Sequence, residues 1–257
     1  MKTIVMALLL TGLTLADAVT GSYVGEFVAA VADYAKKPML YNKINLSVDS
    51  IQGDVVKGHS VVAGNSRPFV GTAVRKGNLL EITAKEPGDD QYDGVFQFTL
   101  DPAAKTVSGR WVANDKNLAV STRKFTLSKR TFRYDPTQPL GRLWSRQVYD
   151  SYDRVSDTAE RITNDAIRFN ASTTRLRPQD VENMYRRDLE VMRNTIYARH
   201  GYSFKNREMR FLFDRIDWYM PVSTDVTAQL TDLEKDNIDL LKRYENHATT
   251  YYDHFGR

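Results

Sequence analysis

LLEITAKEPGDDQYDGVFQFTLDPAAKTVSGRWVA, residues 79–113, decides how the first half of the chain is read. Three short runs within it, LLEITAKE, GVFQFTLD and TVSGRWVA, alternate apolar and polar residues, the pattern of strands with one buried face. The breaks between them, Glu86-Pro87-Gly88-Asp89-Asp90 and Asp101-Pro102, consist of residues that preset or tolerate turn dihedrals. Working outward, the same alternation recurs in YVGEFVAAV, KINLSVDSI, VVKGHSVVAG and RPFVGTAVRK before this stretch and in AVSTRKFTLSK after it.

Eight sequential strands with short connections suit an up-and-down antiparallel barrel, which removes exposed edges and encloses either a filled interior or one small ligand. A two-sheet sandwich is the structural alternative. In strand count and meander the outline resembles a lipocalin-like barrel, and that likeness implies a carrier of a small apolar ligand. Phe69, Phe96, Phe98 and Trp111 are the aromatic residues expected to line or fill the interior. Filling is favoured, because a barrel of this size can be packed solid by its own side chains. His59 lies in a strand without a second His or an acidic residue at local ligand spacing, and reads as a surface or hydrogen-bonded residue.

The charge is uneven. Residues 19–133 carry sixteen Lys and Arg against eleven Asp and Glu, whereas residues 173–257 are balanced, so the basic excess belongs to the first domain. It concentrates in Arg123, Lys124, Lys129, Arg130 and Arg133. Such a cluster could attract an anionic envelope polymer; the plainer reading is a solvated strand edge protected by charge.

At the N-terminus, MKTIVMALLLTGLTLADA places a Lys before an apolar run and ends it in small residues, Ala16 and Ala18, at cleavage-site spacing. This reads as a signal peptide, 1–18, and the run is too short to span a bilayer. With no cysteine in the chain, neither a disulfide nor a lipid-modified cysteine anchor is expected. The expectation is therefore a periplasmic or extracellular protein without a transmembrane segment.

Between Asp135 and Ser172 the alternation fades and Pro136, Pro139 and Gly141 interrupt regular structure. Trp144, Tyr149 and Phe169 make this segment too apolar for a free tether, so contact between domains is expected.

The last third has helical period. Val181, Tyr185, Leu189, Met192 and Ile196 share one stripe, predicting a helix over 178–199 with Pro178 in its first turn and Gly201 as its left-handed stop. A second helix starts at Asn206 and buries Met209, Leu212, Phe213 and Ile216, and Trp218 and Tyr219 close the small core. The final helix opens on Thr231-Asp232-Leu233-Glu234, a capping-box pattern, with Leu230, Leu233, Leu240, Leu241 and Tyr244 on its buried stripe.

Tyr197-Ala198-Arg199-His200-Gly201, followed by Asp217-Trp218-Tyr219-Met220-Pro221 and Leu233-Glu234-Lys235-Asp236-Asn237-Ile238, resembles the three signature blocks of the YARHG domain, in its order and roughly its spacing. The resemblance covers roughly the last third of the chain. It implies an extracytoplasmic bacterial module with no assigned reaction.

On the helical wheel Arg193 and His200 fall inside the apolar arc. A buried guanidinium needs a carboxylate, and the expected partner of Arg193 is Glu234, with Asn237, Asn194 or His200 completing a buried polar network. Glu234 as a capping-box residue would compete for that role. His200 has no Ser or Cys signature nearby, and His247 and His254 are too far apart on a helix to share a metal. No metalloprotease, phosphate-loop, nucleophile-elbow or paired-carboxylate motif occurs in the sequence.

The reading is an α+β multidomain protein: signal peptide 1–18, eight-stranded antiparallel β-barrel 19–133, packing segment 134–172, and a small all-α domain, 173–257. Its expected function is non-enzymatic binding in the bacterial envelope. The alternatives are a small-ligand carrier and, last, an envelope hydrolase using His200 and Glu234. No cofactor, metal or nucleic-acid partner is expected.

Overall fold

The computed structural model describes residues 19–141 and 162–251. The expected signal peptide, Trp144, Tyr149 and His254 lie outside the described residues.

Eight antiparallel strands form a closed barrel in sequence order. They are β1 (Gly21–Ala32), β2 (Tyr41–Gln52), β3 (Val55–Val62), β4 (Asn65–Lys76), β5 (Leu79–Lys85), β6 (Gly94–Asp101), β7 (Thr106–Ala113) and β8 (Val120–Lys129). Closure is made by β8 on β1, from Tyr23↔Lys129 to Ala32↔Val120, with the register slipping near Ala29 and Val31. The sandwich alternative is thereby excluded, and β8 has no free edge for its charges to protect.

Alternation turns one face of every strand inward. The interior holds a cluster of rings in which Phe96 meets Phe69 at 5.7 Å and Phe125 at 6.0 Å, with Phe27 6.0 Å from Trp111. Below them, the end of the barrel that carries both of its termini is filled by the buried side chains of Tyr23, Leu46, Leu100 and Leu127. The other end is rimmed by the β1–β2, β3–β4, β5–β6 and β7–β8 connections.

The helical region contains α1 (Pro178–Val181), α2 (Arg186–Arg199), α3 (Arg207–Phe213) and α4 (Asp232–Tyr251). The single helix expected over 178–199 is broken into two. Tyr185 is extended, with φ −63° and ψ 148°, and caps α2, while a turn closes from Met184 N–H to the Val181 carbonyl. The break lets Val181 and Met184 both enter the core shared by α2 and α4, where Leu189, Met192, Ile196, Ile238 and Leu241 meet. Asn206 caps α3, accepting from the Glu208 and Met209 backbones, and the Thr231/Glu234 capping box opens α4.

The helical region sits against β1, β2 and the rim. Tyr41 donates to the Asp214 carbonyl at 3.2 Å, Lys43 to the carbonyls of Ile216 and Tyr219, and Arg130 to that of Asp217 at 2.8 Å. Burial lowers the Lys43 amine to about 8. At the β3–β4 turn, Gly64 has φ +74° and donates to Ser203 Oγ; a Cβ there would lie 2.1 Å from Lys205 Cγ. Only glycine permits this approach of the two domains.

Candidate functional site

The ring cluster stops short of the rim and leaves a cavity of about 370 Å³. Barrel residues wall it on most sides, and Arg210 of α3 contributes from the helical region. Phe96 and Trp111 line it, whereas Phe69 and Phe98 fill the barrel below, so the four aromatic residues singled out in the sequence divide between the two roles.

Polar groups converge on this cavity. Glu86, at the end of β5, accepts from Trp111 Nε1 and from the Gly94 backbone, each at 2.8 Å. Burial pushes its carboxyl up to about 7, against the pull of those two bonds. Arg67 is held by Asp93 at 2.7 Å and Asp90 at 3.1 Å. Arg123, 8% exposed, donates to the carbonyls of Phe27 and Met39 and stands over the Phe27 ring.

Arg123 is therefore not part of a surface cluster. On β8 it is in phase with Phe125 and Leu127, both buried, while Lys124 is exposed on the outer face. Of the remaining members, Arg130 is engaged with Asp217 across the domain contact, and Lys124, Lys129 and Arg133 lie outside the cavity. His59, half exposed, pairs with Asp49 of the neighbouring strand at 2.9 Å, a partner that local spacing could not show.

The pentad of residues 197–201 ends α2. Gly201 N–H bonds the Ala198 carbonyl and Tyr202 N–H the Tyr197 carbonyl, the two bonds of a Schellman close. Gly201 has φ +76°, and a Cβ would lie 2.4 Å from Val222 and 2.9 Å from Phe132. Tyr197 packs between the two helical cores, and Ala198 is buried in one of them. Arg199 grips the segment leaving the barrel: Nε and Nη2 donate to the Gln138 carbonyl and Nη1 to Asn170 and Ser172. Trp218 Nε1 adds a bond to the Pro139 carbonyl at 2.7 Å.

The polar network expected around Arg193 is three separate sets. Arg193 forms a bidentate pair with Glu245, at 2.6 and 2.9 Å, and also donates to Asn194. Glu234 pairs instead with His200 at 2.8 Å, while accepting from Tyr134 and from Thr231 of its own capping box. Asn237 serves the Leu176, Ala171 and Thr174 backbones. The expected Arg193–Glu234 pair fails for a geometric reason. Arg193 lies about two turns before His200 on α2, and α4 crosses in the opposite direction, so Arg193 meets the later residue Glu245. Glu234 is left to His200.

Burial alone would raise the Glu234 carboxyl. Hydrogen bonds from His200, the Thr231 backbone and Ser172 reverse this and hold it at about 2. His200 and Glu234 are 5% and 0% exposed, and the Tyr134 ring covers His200.

Sequence reasoning missed Arg123, Arg210 and Glu86 as cavity residues, and Tyr134 and Glu245 as partners. Strand phase could have found Arg123; nothing local pointed to the others. Among the described residues no group of three or more His, Asp or Glu is arranged to hold a metal ion, and no helix is long and apolar enough to cross a membrane.

Residues 165–246 match the family of the YARHG domain, a typically extracytoplasmic bacterial module. No curated protein and no solved structure matches the chain, so the lipocalin likeness of the barrel finds no support from a relative.

Proposed function

We propose, from the premise that residues 165–246 are a YARHG domain seated at the mouth of a β-barrel, that the protein is a non-enzymatic binding protein of the bacterial envelope. Its site is the cavity at the barrel rim. The observation that carries this reading is that cavity: about 370 Å³, walled by aromatic and polar side chains of the barrel and completed by α3 of the helical domain. Its size is in the range of small-molecule sites, about 300–1,000 Å³. Periplasmic or extracellular placement rests on the N-terminal MKTIVMALLLTGLTLADA and on the YARHG domain being typically an extracytoplasmic module.

The hydrolase alternative would need His200 and Glu234 to reach a substrate, and both are buried under Tyr134. A surface site for an anionic polymer loses two of its five basic residues, Arg123 to the cavity and Arg130 to the domain contact. The small-ligand reading is the one the geometry favours.

The test is binding of Nile red, a neutral apolar fluorophore, to the full-length protein and to Ala119→Trp, which fills the cavity from its wall. Saturable binding at one site, abolished in Ala119→Trp, is expected. Absence of binding, or binding indifferent to the substitution, overturns the reading.

A further inference from the structure

Two guanidinium groups, Arg123 of β8 and Arg210 of α3, line the same cavity. Among the described residues neither has a carboxylate oxygen within 4.0 Å. Among the described residues Arg123 bonds only two backbone carbonyls and stacks on Phe27, leaving part of its donor fork unused there. Arg210 donates to Asn42 Oδ1 at a long 3.3 Å, and its Nε is buried with no partner. Arg67, the third arginine of the wall, is neutralised by Asp90 and Asp93.

Desolvated cations with no carboxylate in ion-pair contact are costly, and an orphaned buried donor adds to the cost; the buried Asp214 attracts both guanidinium groups only from beyond 4.0 Å. Here the missing partner has a place to sit. The rest of the wall mixes apolar residues, Phe27, Val62, Phe96, Trp111 and Leu118 among them, with polar ones that include Glu86. Resting on the binding role argued above, we infer that the cavity takes a small amphiphile with a single carboxylate head on Arg123 and Arg210 and an apolar body against the rings.

A carboxylate suits the site better than a phosphate monoester. The planar fork of arginine matches a carboxylate in two parallel bonds. Glu86 and Asp93 lie close to each other at the same rim, and a dianion would meet more of their repulsion than a monoanion. Burial and the neighbouring Arg210 also pull the Arg123 guanidinium down to about 10, with Asp214 opposing them.

Displacement of Nile red from the full-length protein by dodecanoate, dodecanol and dodecyl phosphate tests the inference. Dodecanoate is expected to bind at least about tenfold more tightly than dodecanol, as one buried charge-assisted contact predicts. Arg123→Met and Arg210→Met are expected to lose that preference while still binding Nile red, which shows that the cavity has survived the substitution. Equal affinity for acid and alcohol, or a preference that both variants retain, would overturn the inference and leave the binding role standing. Tighter binding of dodecyl phosphate than of dodecanoate would overturn the choice of head group. Should Nile red fail to bind the unmodified protein, the binding role falls and this inference with it.

Discussion

Tyr134 and His200 lie face to face, their ring centroids 4.2 Å apart, and both donate to the carboxylate of Glu234. Tyr134 belongs to the segment leaving the barrel, His200 ends α2 and Glu234 begins α4. One buried carboxylate thus ties three parts of the chain together, and an anion is needed there because every neighbour is a donor.

The Glu234 carboxyl is held at about 2 against an ordinary 4.5. A depressed acid contributes stability that is present above its unfolded value and is lost as pH falls through its folded value. The helical domain is therefore expected to lose stability between pH 4.5 and 2, and Glu234→Gln to flatten that loss while costing about 2–4 kcal/mol at pH 7. Urea unfolding followed across this pH range checks both. Unchanged pH dependence in Glu234→Gln would show that the carboxylate is not the group responsible.

Glu86 titrates with the opposite sign. Its folded value is raised to about 7, so its contribution is full below 4.5 and is lost as pH rises through 7. Glu86→Gln keeps an acceptor for Trp111 and Gly94 and removes the buried charge. The variant is expected to equal or exceed the parent in urea midpoint at pH 8 and to show less change between pH 5 and 8. A variant markedly weaker at pH 8 would contradict this.

Arg193 and Glu245 are predicted to couple and Arg193 and Glu234 are not. Double-mutant cycles with Arg193→Met are expected to give an interaction of about 1–3 kcal/mol with Glu245→Gln and less than about 0.5 kcal/mol with Glu234→Gln. Reversed magnitudes would restore the pairing that the helical wheel suggests.

Gly201→Ala is expected to destabilise the helical domain by about 2–4 kcal/mol, because the left-handed backbone is strained for alanine and its Cβ meets Val222, Phe132 and the Met220 carbonyl. Thermal unfolding of the variant measures this. A cost below about 1 kcal/mol would mean that the turn has room to relax.

Much of the fold is legible because its rules are local. Alternation with a period of two marks all eight strands, and turn residues separate them. Asn206, Thr231 and Gly201 announce helix ends through caps that involve residues two to five positions away. The break at Tyr185 escaped this reading because it is made by core packing of Met184 and Val181, and a continuous helix satisfies the apolar period equally well.

The site was less legible, and Arg123 shows one reason. Its phase with Phe125 and Leu127 places it inside the barrel, yet its charge, set among other basic residues, reads as surface. The sequence by itself determined the strands, the caps and the helical signature blocks, since these depend on backbone geometry over a few residues. Only the tertiary structure decided closure of β8 on β1, the partners of Arg193 and Glu234, and the meeting of Arg123 with Arg210. Those depend on the distance between groups far apart in the chain: a carboxylate or a guanidinium acts over a few ångströms, and which groups come that close is settled by how the barrel and the helices pack.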